Sequence, residues 1–172
     1  MKGTRKIILL SLLVSIGLAL SVIESSIPLP VAIPGARLGL SNMVILVTLV
    51  IFGFKEAFIV SILKSSVLVL ITGSVSSLIY SLAGGIVSCI VMFVGYKFFS
   101  NIFSLIGVSI LGATGHNIAQ VSVAVMIMSN IRVYSYLPIL VLMGLFTGYF
   151  VGLSSIYISK NLRKVLKYNA EI

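Results

Sequence analysis

From Ile7 to Ile158 the chain is a succession of apolar runs, each near bilayer length, and its charges collect in the short gaps between them. A spanning helix needs roughly 20 apolar residues, and lipid offers the backbone no outside hydrogen-bond partner, so such runs must close their bonds internally as helices. Six segments fit, at about 7–24, 41–54, 57–72, 75–96, 104–129 and 136–158. Only 9% of residues are charged and 59% are hydrophobic, whereas a soluble domain is about a quarter charged. The expectation is an all-α integral membrane bundle of six transmembrane helices, forming a single transmembrane domain over residues 1–172.

The cations give the bundle a direction. With the N-terminus inside, Lys2, Arg5, Lys6, Lys55, Lys97, Lys160, Arg163, Lys164 and Lys167 fall on the cytoplasmic side, against only Arg37 and Arg132 outside. Nine against two is a strong positive-inside bias, and an even number of spans then puts both ends in the cytoplasm. In a soluble protein the net charge of +9 would suggest nucleic acid. Here the positive residues sit at helix ends rather than along one polar face, so no nucleic-acid partner is expected. Lys2, Arg5 and Lys6 before an apolar run also resemble a signal peptide. The run from Ile7 to Ile23 is longer than an h-region of about 7–15 residues, and no clean cleavage site precedes the prolines, so it reads as an uncleaved first helix. Cys89 stands alone in an apolar run, which leaves neither a disulfide nor a cysteine metal site. No internal repeat supports an inverted-repeat transporter.

Between the first two helices lies Ser25 to Gly35, where Pro28, Pro30 and Pro34 forbid regular helix. The loop is apolar nonetheless, so it is expected to pack on the bundle. Ser41 or Asn42 can cap helix 2, which is short for a full span.

A few residues could carry chemistry. In helix 5, Gly112-Ala113-Thr114-Gly115 precedes His116, Asn117 and Gln120. His116 and Gln120 are four apart and share a face, with Asn117 beside them. Polar side chains at that depth must face the interior or a wet cavity, either as a binding site or as hydrogen-bonded glue between helices. Lys64, inside helix 3, can snorkel, pair with Glu24 or Glu56, or meet an anionic ligand. Arg37 can reach an anionic group entering from outside, or lipid phosphate. In helix 6, Gly144, Gly148 and Gly152 make a smooth face for helix packing. In helix 1, Ser11, Ser15 and Ala19 form a small-residue row that suits either packing or docking of a second membrane protein.

The stretch Pro34-Gly35-Ala36-Arg37-Leu38-Gly39-Leu40-Ser41-Asn42, together with Gly115 to Gln120, resembles the bacterial Gx transporter family, also labelled heptaprenyl diphosphate synthase component I. That family resembles the substrate-binding S components of energy-coupling factor (ECF) transporters. The resemblance implies six helices, a lid-like first outer loop, and a helix-1 row that meets a transmembrane coupling subunit. Alanines would be usual in that row, where this chain has serines. The bacterial plasma membrane is the implied location.

The synthase label can be tested on the residues. Trans-prenyl synthases hold diphosphate through magnesium on aspartate-rich motifs, and magnesium demands carboxylate oxygens. This chain has no aspartate; its acidic residues are Glu24, Glu56 and Glu171. The expectation is a non-enzymatic subunit that needs no cofactor and no metal. Arg37, Asn42, Lys64, His116, Asn117 and Gln120 would bind a small anionic or carbonyl-rich substrate, and a coupling protein with ATPase subunits would supply energy, since the chain has no P-loop. A non-catalytic membrane subunit supporting heptaprenyl diphosphate or quinone precursor synthesis is the alternative, and a self-sufficient carrier the third.

Overall fold

The computed structural model describes residues 3–27 and 37–168. The proline-rich stretch expected to form a lid-like loop lies outside the described residues at 28–36, as do Lys2 and Glu171. Among the described residues the chain forms α1 (Gly3–Ser25), α2 (Asn42–Phe52), α3 (Phe54–Thr72), α4 (Val75–Phe98), α5 (Leu105–Met128), a 3-10 turn (Ile131–Tyr136) and α6 (Leu137–Tyr168), with no strand. Four stretches are long and apolar enough to cross a membrane: α1, α4, α5, and the run Ile131–Leu166. These mark a multi-pass membrane protein. The other two helices differ for physical reasons. At 11 residues α2 is about 16 Å long, roughly half a bilayer core, and α3 carries Lys55, Glu56 and Lys64.

Two boundaries depart from the sequence reading. Lys55 and Glu56, left between helices by the expected bounds, belong to the first turn of α3, because Gly53 (φ +98°) reverses the chain in a single residue. That is a left-handed backbone which glycine adopts without penalty. Its N–H donates to the carbonyls of Thr48 and Leu49, ending α2 as α3 begins. At the other end α6 runs on to Tyr168 instead of stopping near 158. Leu162 packs on the cluster of Leu13, Val44, Val47 and Val60, and Arg163 donates to Val50 O at 3.0 Å, so the basic segment has contacts that hold it helical.

The packing has a centre. α5 lies against α4 and α6 along its length and also touches α2, whereas α1 packs chiefly on α2 and α3. Small residues set the spacing. A β-carbon on Gly152 would stand 2.6 Å from Ile106 Cα, and one on Gly148 would stand 2.9 Å from Ile110 Cα, so the helix-6 glycine row lets the backbones of α5 and α6 approach. Gly112 and Gly115 face Met92, Val91 and Val87 of α4. An apolar core of Ile45, Leu46, Leu49, Ala57, Cys89, Met92 and Val108 fills one half of the bundle. The other half holds a second apolar cluster, Tyr80, Val121, Ala124, Val133 and Leu140, and beside it a group of buried polar side chains.

Candidate functional site

The polar group lies where α1 and α3 end and α2 and α4 begin. Its hub is the segment Arg37 to Ser41, drawn into the interior by side chains from four helices. Glu24, buried at the end of α1, accepts the N–H of Gly39 and, at 3.3 Å, that of Leu40. Gln120 of α5 accepts the backbone N–H of Arg37 at 3.1 Å. Thr147 of α6 donates to the Leu38 carbonyl at 3.2 Å. Lys64 of α3 donates to Ser41 Oγ at 2.7 Å. Ser41 thus occupies the N-cap position of α2 but makes no side-chain cap bond; its hydroxyl receives the ammonium instead.

The side chains are as deeply placed as the backbone. Arg37, Asn42, Lys64, His116, Asn117 and Gln120 are all buried. The Lys64 stem passes α1 where a β-carbon on Gly17 would lie 3.2 Å from its Cδ. Arg37 Nη2 donates to Ser77 Oγ at 2.5 Å. Burial lowers the Arg37 guanidinium from its ordinary value, and the nearby Glu24 carboxylate works in the opposite direction. Glu24 also feels the charge of Lys64, so one carboxylate stands within the field of two cations. Gly39 (φ +85°) touches two more members: a β-carbon there would lie 2.8 Å from Asn42 Nδ2 and 3.6 Å from His116 Cδ2. The His116 ring in turn fills the space a side chain at Gly84 would need, 2.6 Å from its Cε1 and Nδ1. Neither ring nitrogen of His116 has a hydrogen-bond partner among the described residues.

Asn117 goes elsewhere. Its Nδ2 donates to Leu140 O at 2.6 Å beside Gly144, an interhelical bond between α5 and α6. So the helix-5 triplet divides: His116 turns to α4, Asn117 to α6, and Gln120 to the loop end.

Many polar atoms here remain without a hydrogen-bond partner among the described residues: Glu24 Oε2, Arg37 Nη1, both amide atoms of Asn42, both ring nitrogens of His116, and Gln120 Nε2. Buried polar groups are overwhelmingly paired in native proteins, and each orphan costs about 1–3 kcal/mol. Seven such atoms, from five residues, lie around this one segment.

The sequence model of the family described as heptaprenyl diphosphate synthase component I matches residues 13–158. The chain belongs to this family. No curated protein and no solved structure matches it. The part matched to the family contains the whole cluster, from Glu24 to Thr147.

Of the expected binding residues of this component I family member, Arg37, Asn42, Lys64, His116 and Gln120 gather around Gly39 to Ser41. The sequence marks Glu24 only as a partner for Lys64, although an acid inside an apolar run is itself a signal. Ser41 and Ser77 carry no such signal, being two serines among many. The helix-1 row lies on the other side of its helix: Ser11, Ser15 and Ala19 are exposed, while Leu13, Gly17, Ser21 and Glu24 face inward.

Proposed function

We propose that this protein is a membrane-embedded capture subunit, similar to the S components of ECF-type uptake transporters, that binds a small polar molecule in the cluster around Gly39. The observation that carries this reading is the set of buried, unpartnered polar atoms contributed by Glu24, Arg37, Asn42, His116 and Gln120. Interhelical glue alone would leave these groups bonded to one another, as the Asn117 amide nitrogen is to the Leu140 carbonyl, although Asn117 Oδ1 also lacks a partner. The charge bias supports six spans with both ends in the cytoplasm of a bacterial cell, which puts the cluster in the outward half of the membrane. Ser11, Ser15 and Ala19, exposed on α1, suit contact with a transmembrane coupling protein, and ATPase subunits would complete the assembly. Purification of the tagged chain from its own membranes tests this: a stoichiometric small molecule and an ATPase-coupled membrane partner are expected. Neither being recovered defeats the reading.

A second reading follows from the family name, which implies another synthase component as partner. In it the chain is a non-catalytic membrane subunit that presents a lipid precursor to the synthase. Its support is the name together with the apolar helices. Recovery of a prenyl synthase with the chain, and loss of synthase activity without it, would favour this role.

A further inference from the structure

The unpartnered atoms differ in what they can accept or give, and that difference describes a ligand. Arg37 Nη1 and Gln120 Nε2 are donors only, whereas Glu24 Oε2 is an acceptor when ionised. Asn42 and His116 each offer a donor and an acceptor. The formal charges do not balance either. Arg37 and Lys64 bring two positive charges and Glu24 one negative, with His116 counted neutral, and all are buried. The ion pair of Lys6 with Glu56 lies in the other half of the bundle and does not compensate this excess. An uncompensated charge inside an apolar bundle is unfavourable and calls for a counter-charge.

We infer that the molecule held here is a compact monoanion that also carries at least one N–H or O–H donor. Its acidic group lies against Arg37 Nη1 and Gln120 Nε2, and its donor meets Glu24 Oε2. Asn42 and His116, which can turn either edge to it, select its shape. One negative charge neutralises the excess, while the donor answers a carboxylate that would repel a bare anion. A diphosphate fits poorly, because it would bring several negative charges to a site with one surplus cation and would set one of them against Glu24. Acidic compounds with an amino, amide, ring N–H or hydroxyl group fit both demands. This inference rests on the capture reading.

The experiment is mass spectrometry, in both ion modes, of the extract from the full chain purified in mild detergent, with hydrogen–deuterium exchange counting the donors. The expected compound has one net negative charge at neutral pH and an exchangeable hydrogen beyond its acid. Glu24→Gln keeps an acceptor for the Gly39 and Leu40 amides, and its retention of the compound should fall about tenfold, the scale of one lost charge-assisted hydrogen bond. Ile59→Ala, at an exposed position near the start of α3, should retain it in full, and melting curves of each variant separate lost binding from lost fold. A neutral or multiply charged compound released by wild type but not by His116→Ala would overturn the ligand class and leave the capture role standing. No compound from wild type, or equal retention in every variant, would overturn both.

Discussion

Lys64 Nζ donates to Ser41 Oγ at 2.7 Å, so the cation buried in α3 is tied to the first residue of the α2 entry rather than to a carboxylate. The bond is a link between elements: it joins the middle of one helix to the start of another across 23 residues of chain. Ser41→Ala should therefore destabilise the protein by about 1–3 kcal/mol, because the ammonium loses its acceptor. In a Lys64→Met background the same change should cost little, since Ser41 makes no cap bond of its own. Denaturation of the four proteins in a double-mutant cycle measures this. Equal costs in both backgrounds would mean that Ser41 acts on α2 by another route.

Gly84 is the position where α4 yields to the His116 ring. Gly84→Ala should push the ring out of place, lower the melting temperature, and reduce retention of the bound molecule. His116→Ala frees that space, so the double variant should melt higher than Gly84→Ala alone while still failing to retain the molecule. A double variant no more stable than Gly84→Ala would show that the glycine is needed for something other than the ring.

The two small-residue rows should behave oppositely. A side chain at Gly152 meets backbone, at Ile106 Cα, and backbone cannot step aside as a flexible side chain can. Gly152→Ala should destabilise by about 1–3 kcal/mol, the usual cost of overpacking. Ser15 is exposed, and its hydroxyl donates to Ser11 O within its own helix at 3.0 Å. Ser15→Leu should change stability by less than about 0.5 kcal/mol, and under the proposed function it should weaken association with the coupling protein. Unfolding curves and co-purification read the two effects separately.

Orientation can be read with a membrane-impermeant maleimide on intact cells. Cys89 is fully buried, so the native chain should stay unlabelled. Ser26 and Lys160 are both exposed, near opposite ends of the bundle. Ser26→Cys should react from outside, and Lys160→Cys only after permeabilisation. Labelling of both in intact cells, or of neither, would rule out the orientation inferred from the positive-inside bias.

The gap between sequence and structure is clearest within single elements. The apolar runs match α1, α4 and α5 closely because length and hydrophobicity are local properties of a helix in lipid. The end of α6 escapes such reasoning because its basic residues break the apolar run, whereas Leu162 and Arg163 anchor it to α2 and to the cluster around Leu13. His116 and Gln120 stand out by being polar where lipid tolerates little polarity. The same logic groups Asn117 with them, but one residue is a step of about 100° around a helix, which carries its side chain toward α6.

The sequence by itself determined that the chain is a helical membrane protein and which few polar residues are worth watching, because burial in lipid penalises each such residue individually. It could not determine which of them meet. That depends on how far the helices can approach, set by Gly39, Gly84, Gly148 and Gly152, and on a loop end that places Arg37 beside Gln120, 83 residues away. Hydrogen bonds need donor and acceptor within about 3 Å, and only the packed bundle brings Glu24, Arg37, Lys64, His116 and Gln120 around one segment while leaving part of each, Lys64 apart, without a partner.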